Sequence, residues 1–300
     1  MFQSRQLILS RLLSQLDRLS PDDPLPTVEG GRPIGAALRI GVTGPLGAGK
    51  SSLINELARR YRKRGLTVGI IAVDPSSPFT GGALLGDRVR MADLAGDEGV
   101  FVRSLATRGS TGGLAVTAVD AADLLDQAGF DRVIIETVGV GQVETDIVGA
   151  CDITVVVLEP GSGDMIQSMK AGLMEIADLF IVNKMDLRGS QRYLSDLEGA
   201  LELKSYKVRP GVIPTLARNG DGMDTFCEWI EERYASSQAD GTLAERRLDQ
   251  RIDRTRRVAE QLLLKRFWEL MPPEHVQQVS DHAGGIRRAA QELVREVLGK

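Results

Sequence analysis

Short apolar runs alternate with longer segments of helical periodicity along most of the chain. The first apolar run is Leu38–Thr43, and a glycine-rich loop and a helical stretch, Ser52–Arg64, follow it. Only Gly65 and Leu66 separate that helix from a second apolar run, Thr67–Val73. Because such a short return brings the chain back along the same sheet, we predict a right-handed βαβ unit with parallel strands.

The same alternation continues through the middle of the chain. Each further run has the length of a strand and is almost wholly apolar, as expected where helices cover both faces of a sheet. The runs lie at Val100–Arg103, Arg132–Glu136, Ile153–Leu158, Leu179–Asn183 and Val212–Thr215, and the helical stretches at Leu114–Ala128, Asp164–Ile176, Tyr193–Tyr206 and Met223–Tyr234. The predicted fold class is α/β, with a doubly wound and mainly parallel sheet.

The N-terminal part is predicted to be a helical arm outside this sheet. Met1–Leu16 carries apolar residues at helical spacing and no acid, which is typical of an amphipathic helix packed on the domain. An organellar transit peptide is the alternative. Pro and Gly are frequent between Asp22 and Pro33, which indicates a linker.

The C-terminal part, from Ala244 onward, is predicted to be all-helical, with breaks at Met271–Pro273 and at Gly284–Gly285. An apolar stripe at helical spacing runs along it, formed by Val258, Leu262, Leu263, Phe267 and Leu270. Such a short segment has too little core to fold alone, so we expect it to pack on the main domain or on another subunit. The predicted domains are an N-terminal arm and linker (1–33), a main domain (34–240) and a C-terminal arm (241–300).

Composition narrows the class of protein. Hydrophobic residues make up 42% and charged residues 26%, which excludes a disordered or fibrous chain. No apolar run approaches the roughly 18 residues that span a bilayer, and a net charge of -4 disfavours nucleic acid as the main ligand. Cys151 and Cys227 cannot form a disulfide framework or a zinc site. We therefore expect a cytoplasmic protein with neither a membrane nor a nucleic-acid partner.

The glycine-rich loop after the first strand has the sequence GPLGAGKS at 44–51, which fits the pattern GxxxxGK[ST] between a strand and a helix. In this pattern, backbone N–H groups and the helix N-terminus surround phosphate oxygens. Lys50 would neutralise phosphate charge and the Ser51 hydroxyl would bind Mg²⁺. The predicted phosphate-binding residues are Gly44, Gly47, Ala48, Gly49, Lys50, Ser51 and Ser52.

A second motif, Asn183-Lys184-Met185-Asp186, follows the Leu179–Asn183 run and predicts the base. A carboxylate at Asp186 can accept hydrogen bonds from N1–H and the 2-amino group of guanine, whereas adenine offers neither donor. The predicted ligands are therefore GTP and GDP, with Asn183, Lys184 and Asp186 at the base. A backbone contact to the base is predicted from Thr215, Leu216 and Ala217.

Hydrolysis requires acids near the metal and the attacking water. Asp74, Asp87 and Glu136 follow strands or glycine-rich loops on the nucleotide side, where bound Mg²⁺ would keep them ionised. Glu136 is the strongest candidate, since a buried strand should not end in an acid without a partner. Gly139 would place an N–H against the γ-phosphate of the nucleotide, and release of this contact on hydrolysis would make Thr137–Thr145 a switch segment. Gln142 would orient water, or else lie on a helix surface.

Three stretches resemble the MeaB/ArgK GTPases. They are DPSSP at 74–78, TGG with LGDR between 80 and 88, and ETVGVGQ at 136–142. Members of that family are G-protein chaperones of adenosylcobalamin-dependent methylmalonyl-CoA mutase and its relatives. The resemblance implies a GTPase core with helical arms, a homodimer formed through the C-terminal arm, and a mutase as the partner.

The resemblance also implies roles for individual residues. Lys50 and Ser51 would act on phosphate and Mg²⁺, and Asp74, Asp87 and Glu136 would surround the metal and water. Residues 159–170 would form a third mobile segment, in which a partner mutase brings Lys170 to the nucleotide site; a solvated helix lysine is the alternative for Lys170.

Three other functions remain open from the residues. A nickel-insertion GTPase usually carries a Cys/His cluster, whereas here Cys151, Cys227, His275 and His282 are scattered along the chain. A small-molecule kinase, such as one acting on arginine or ornithine, needs an acceptor pocket with a base, and none is evident. A nucleotide-switched scaffold with negligible turnover would differ from the chaperone in its partner-stimulated rate.

Overall fold

The structure, a computed structural model, describes residues 2–16, 19–20, 22–75, 94, 96–107, 113–137, 147–161, 172–206, 208–282 and 284–298. The chain forms two compact units: the first contains Met1–Arg18 and Leu25–Arg251, and the second contains Leu19–Pro24 and Ile252–Lys300. The elements in chain order are α1 (Phe2–Leu16), β1 (Leu38–Thr43), α2 (Lys50–Lys63), β2 (Val68–Pro75), β3 (Val100–Thr107), α3 (Gly113–Gln127), β4 (Arg132–Thr137), a short 3₁₀ helix (Ile147–Ala150), β5 (Ile153–Leu158), α4 (Leu173–Ile176), β6 (Leu179–Val182), α5 (Ser190–Glu202), β7 (Gly211–Pro214), α6 (Met223–Ala239), α7 (Thr242–Leu270), α8 (Pro273–His282) and α9 (Ile286–Leu298).

The described strands form one seven-stranded sheet in the order β3-β2-β4-β1-β5-β6-β7. Every neighbouring pair is parallel. The predicted doubly wound α/β fold is confirmed, and the sheet is wholly rather than mainly parallel over the described strands. Strand β1 lies between β4 and β5, so the loop that leaves β1 lies beside the ends of both neighbours.

Helices cover the two faces of the sheet. On one face α2 and α6 bury apolar side chains such as Leu57 and Phe226 against strand residues such as Ile40. On the other face α4 and α5 pack on β5 and β6. Helix α3 lies over β2, and the Leu125 side chain occupies the space beside Gly69. Burial on both faces explains why the strands are almost continuously apolar.

Several element boundaries differ from those predicted, most of them by one to five residues. Strand β3 runs on to Thr107 instead of ending at Arg103, because it continues to pair with β2 as far as Pro75. Helix α5 starts three residues earlier than the predicted Tyr193, directly after Gly189, whose φ of 88° fits a glycine at a helix start. Of the predicted helix at 164–176, the structure describes only α4.

Helix α1 packs on the first unit, as its amphipathic pattern predicts. Leu9, Leu13 and Leu16 are buried. The Gln6 side-chain amide donates to the carbonyl oxygen of Val100 (3.2 Å), at the start of edge strand β3. These contacts favour the packed-helix interpretation of the N-terminal arm, since an edge strand otherwise presents open hydrogen-bonding groups.

The boundary between the units falls inside α7, later in the chain than the predicted boundary at 240–241. The first turns of α7 belong to the first unit because their side chains bind it. Arg247 Nη2 pairs with Asp152 Oδ2 at 2.7 Å, and Gln250 Nε2 donates to the Cys151 carbonyl at 2.8 Å.

The second unit is helical and has a small core of its own. Met271, Val279, Ala289 and Leu293 are buried together, with Phe267 packed against them. Part of the predicted apolar stripe stays at the surface, with Leu263 70% and Leu270 47% exposed. Within the described residues, no helix combines the length and apolar character that crossing a membrane requires.

Candidate nucleotide-binding site

The loop between β1 and α2 has a backbone that only glycine can form. Gly44 has a φ of 137°, and a Cβ atom there would collide with the carbonyl oxygen of Val157 on β5. Gly49 has a φ of 91°, and its Cβ atom would collide with the side-chain amide of Asn183. The glycine pattern is thus required by both dihedral angle and close approach.

Lys50 begins α2 and is buried with its ammonium group directed back over the loop. Its Nζ donates to the carbonyl oxygens of Gly44 (2.7 Å) and Pro45 (2.9 Å). The residue before the helix, Gly49, has no side chain to cap the first N–H groups of α2. A cation and uncapped helix N–H groups at one loop favour an anionic ligand such as phosphate.

Ser51 and Glu136 meet beside this loop. The Ser51 hydroxyl donates to Glu136 Oε1 at 2.8 Å, and Glu136 is 5% exposed. Sheet register explains the meeting, because Glu136 on β4 lies opposite Val42 on β1. A hydroxyl and a carboxylate are hard oxygen donors of the kind that Mg²⁺ prefers, so these two residues fit a magnesium site.

The remaining predicted acids are only partly described. Strand β2 pairs with β4 through Val73 and Thr137, so the backbone of Asp74, one residue further, lies at the same end of the sheet as Glu136. Four predicted site residues lie outside the described residues, namely Asp87, Gly139, Gln142 and Lys170.

Asn183 connects the phosphate loop to the loop after β7. Its Nδ2 donates to the Ala48 carbonyl at 2.8 Å. Its Oδ1 accepts from the Thr215 hydroxyl (3.2 Å) and from the Ala217 N–H (3.1 Å). With 3% of the residue exposed, the amide is engaged by protein groups on both sides. Asn183 therefore holds the shape of the site, a role that the motif alone did not suggest.

Asp186 is the exposed member of the same motif. Its side chain is 42% exposed, and Oδ2 lies 3.6 Å from Arg218 Nη2. Nearby, the Met185 N–H donates to the Thr215 carbonyl at 3.2 Å, so the two predicted base-contacting loops touch through their backbones. A carboxylate at the mouth of the site can accept hydrogen bonds from a ligand.

Sequence reasoning missed Thr43 as a residue of the site, and it missed the contact that Glu159 makes there. Thr43, the last residue of β1, accepts a hydrogen bond from the Thr137 hydroxyl at 2.8 Å, with both side chains buried. A polar residue that ends an apolar strand is a detectable signal, and the same signal identified Glu136. Glu159 forms an ion pair with Lys184, which spacing in the sequence could not reveal.

The cysteines and histidines are not gathered into a metal site in the described part of the chain. Cys151 and Cys227 are both buried, and burial raises the pKa of each thiol. Among the described residues, no group of three or more His, Cys, Asp or Glu side chains could hold a metal ion.

A glycine-rich loop on the central strand, a Ser–Glu pair beside it and an Asn-Lys-x-Asp loop two strands away define a P-loop nucleotide-binding protein of the GTPase class. Residues 31–272 match the family model described as Methylmalonyl Co-A mutase-associated GTPase MeaB. The chain therefore belongs to the MeaB family of GTPases, which confirms the resemblance seen in the sequence.

Individual relatives agree with this assignment. A GTPase of Pyrococcus abyssi is 50% identical over 218 residues, covering 71% of this chain and 67% of that protein. GTPase ArgK of Escherichia coli is 38% identical over 241 residues, covering 78% of this chain and 72% of the relative. A crystal structure described as an LAO/AO transport system kinase superposes with a TM-score of 0.72 at 25% identity, covering 99% of this chain and 95% of that one.

Proposed function

We propose that this GTPase is a chaperone of an adenosylcobalamin-dependent acyl-CoA mutase, either methylmalonyl-CoA mutase or a relative, and that it gates the loading and protection of the cofactor. The match to the MeaB family model over residues 31–272 carries the proposal. A mouse relative named methylmalonic aciduria type A homolog, 37% identical over 73% of this chain and 54% of its own length, supports it.

The reaction proposed is hydrolysis of GTP to GDP and phosphate. Lys50, whose ammonium lies on the loop carbonyls, would move its hydrogen bonds to phosphate oxygens. Ser51 and Glu136, with Asp74 and Asp87, would hold Mg²⁺. That ion would supply neutralisation of the phosphate charge.

Base recognition is assigned to the loops after β6 and β7. Asp186 would accept from guanine, and Asn183 would keep the phosphate loop and the Thr215–Ala217 loop in register through the three hydrogen bonds described above. Gly139 and Gln142 would act at the γ-phosphate and the attacking water.

Coupling to the partner is assigned to the segment at 159–170. In the proposal, the mutase reshapes this segment and brings Lys170 to the nucleotide. The C-terminal arm would form a homodimer, since exposed apolar side chains such as Leu263 and Trp268 favour a partner surface. Light scattering of the purified protein tests the dimer, and a stable monomer at micromolar concentration would contradict it.

The deciding experiment measures GTP turnover with and without saturating methylmalonyl-CoA mutase. We expect the mutase to accelerate turnover of the wild type. In Lys170→Ala, intrinsic turnover should barely change, while stimulation should fall by about tenfold or more if a charge-assisted hydrogen bond is lost.

Two controls accompany the comparison of GTP turnover with and without the mutase. Lys63→Ala changes an exposed lysine at the end of α2 opposite the phosphate loop, and it should keep full stimulation. Arginine or ornithine replaces the mutase in a parallel reaction. Acceleration by the amino acids together with no response to the mutase would refute the chaperone proposal and favour a kinase.

A further inference from the structure

Strands β5 and β6 end side by side, and this brings together the two residues that follow them. Leu158 pairs with Val182 in parallel register. The Asn183 N–H then donates to the Leu158 carbonyl at 2.8 Å, which extends the pairing by one step. The next side chains, Glu159 and Lys184, form an ion pair through Oε2 and Nζ.

The Glu159 carboxylate also lies against the phosphate loop. A Cβ atom on Gly47 would stand 3.4 Å from Glu159 Oε1, which is van der Waals contact. The Glu159 side chain is 14% exposed, so it is a mostly buried acid rather than a solvated one. One carboxylate therefore lies close to the loop that would receive phosphate and pairs with the motif that would receive the base.

Lys184 stands at a constrained position in that motif. Its φ of 60° is the only positive value among the described non-glycine residues. The residue before it, Asn183, is bound to Ala48 of the phosphate loop. With its backbone fixed in this way, the direction of the Lys184 side chain is set by what its ammonium group binds, and Glu159 supplies that contact.

We propose that Glu159 is a positioning residue for guanine-nucleotide binding, acting through Lys184. The carboxylate orients the Lys184 side chain at the base-binding edge, and the ammonium group in turn offsets a negative charge that would otherwise repel the nucleotide phosphates. This inference rests on the proposed guanine site.

The proposal predicts that the effects of substituting Glu159 and Lys184 on GDP affinity are not additive in a double-mutant cycle. Glu159→Gln should weaken GDP binding about threefold, because Lys184 loses its orientation but the repelling charge is lost as well. Lys184→Ala should weaken it by about tenfold or more, because the ammonium group that offsets the Glu159 charge near the phosphates is then lost. The double variant should bind GDP about threefold more tightly than Lys184→Ala alone.

The experiment is an equilibrium titration of each variant with a fluorescent GDP analogue at low and high salt. Glu175→Gln is the matched control, since Glu175 forms a similar, exposed ion pair with Lys204 away from the phosphate loop; it should bind like the wild type. Thermal unfolding without nucleotide checks that each variant is folded. The advantage of the double variant over Lys184→Ala should shrink at high salt.

The outcomes separate this inference from the function on which it rests. Wild-type protein that fails to bind GDP would refute the guanine site itself. A wild type that binds GDP, combined with additive effects or with a Glu159→Gln variant of unchanged affinity, would overturn the role of Glu159 and leave the guanine site standing.

Discussion

Removing the Asn183 amide is the most informative single perturbation of the site. Asn183→Ala deletes the donor to Ala48 and the acceptor shared by Thr215 and Ala217. All three partner groups are buried, and alanine cannot replace any of these bonds. The substitution should therefore loosen the phosphate loop and the loop after β7 from each other.

The magnitude follows from the number of partners. A typical buried hydrogen bond contributes about 1 kcal/mol net, so three lost bonds lower the free energy of unfolding by about 3 kcal/mol if none is remade. For a domain of this size that corresponds to a fall in Tm of roughly 6–12 °C. GDP affinity should fall by about tenfold or more, because the ligand would then have to order the phosphate loop.

Two further variants sharpen the result. Asn183→Asp keeps an acceptor for Thr215 and Ala217 but sets a carboxylate oxygen against the Ala48 carbonyl, so it should lower both the stability of the protein and its affinity for GDP. Asn219→Ala, at an exposed asparagine in the loop after β7, should change both by little.

The assays are urea unfolding followed by circular dichroism, and titration with a fluorescent GDP analogue. An Asn183→Ala variant with wild-type unfolding midpoint and wild-type GDP affinity would refute the role assigned to this amide.

Three other predictions can be tested with the same assays. Asp186→Asn should weaken GTP binding five- to hundred-fold, about 1–3 kcal/mol, and favour xanthosine triphosphate, and unchanged GTP affinity would remove the base assignment. Arg247→Ala removes the arginine that pairs with Asp152, whose side chain is 2% exposed, and should lower the free energy of unfolding by about 3–5 kcal/mol. The control Arg256→Ala, at a 69% exposed residue, should lower it by under about 1 kcal/mol. Equal urea midpoints for the two variants would contradict this prediction. Burial raises the pKa of the Cys151 thiol, so above the ordinary thiol pKa the native protein keeps this proton while the unfolded chain releases it. The free energy of unfolding should therefore fall as pH rises above about 9, and Cys151 of the native protein should resist alkylation. Rapid labelling of Cys151 in the folded protein would show the burial to be wrong.

The fold could be predicted from the sequence because its signals are local. Strand β1, the phosphate loop and α2 follow one another without a break, and the short return to β2 admits only a parallel strand of the same sheet. The sequence did not indicate that β4 lies between β1 and β2. Strand ends that depend on a neighbour were less accurate, as at β3, whose last residues are fixed by pairing with β2. Position in the sheet, rather than propensity, decides such boundaries.

The candidate site likewise has features that the sequence predicts and features that depend on neighbouring strands. Glu136 could be singled out from the sequence because an acid that ends a buried strand must have a partner, and the structure gives it the Ser51 hydroxyl beside the phosphate loop. The inner bonds of Asn183 and the pairing of Glu159 with Lys184 could not be predicted. These contacts depend on which strand ends lie next to one another, and no short sequence motif predicts the order of strands in a sheet.

The segment before β1 shows how composition can mislead. Its Pro and Gly content predicts a linker, yet its backbone is bound at several points. Within the predicted linker, Gln127 at the end of α3 accepts from the N–H groups of Val28 (2.9 Å) and Arg32 (3.0 Å). Just beyond the linker, Asp126 on α3 accepts from the N–H groups of Gly35 (2.6 Å) and Ala37 (2.9 Å). Arg247 on α7 donates to the carbonyl of Ala37 at 2.9 Å.

Glycine and proline report which backbone angles a segment can adopt, and they carry no information on whether its polar groups find partners. Here the hydrogen-bond partners lie on α3 and α7, which are distant in sequence, so no local pattern predicts them. The same carboxylate of Asp126 also pairs with Arg39 at the start of β1 (3.3 Å). The segment between the N-terminal arm and the main domain is thus linked through Asp126 to β1, the strand that leads into the phosphate loop. Substitutions in this segment should therefore affect β1 as well as the position of the N-terminal arm.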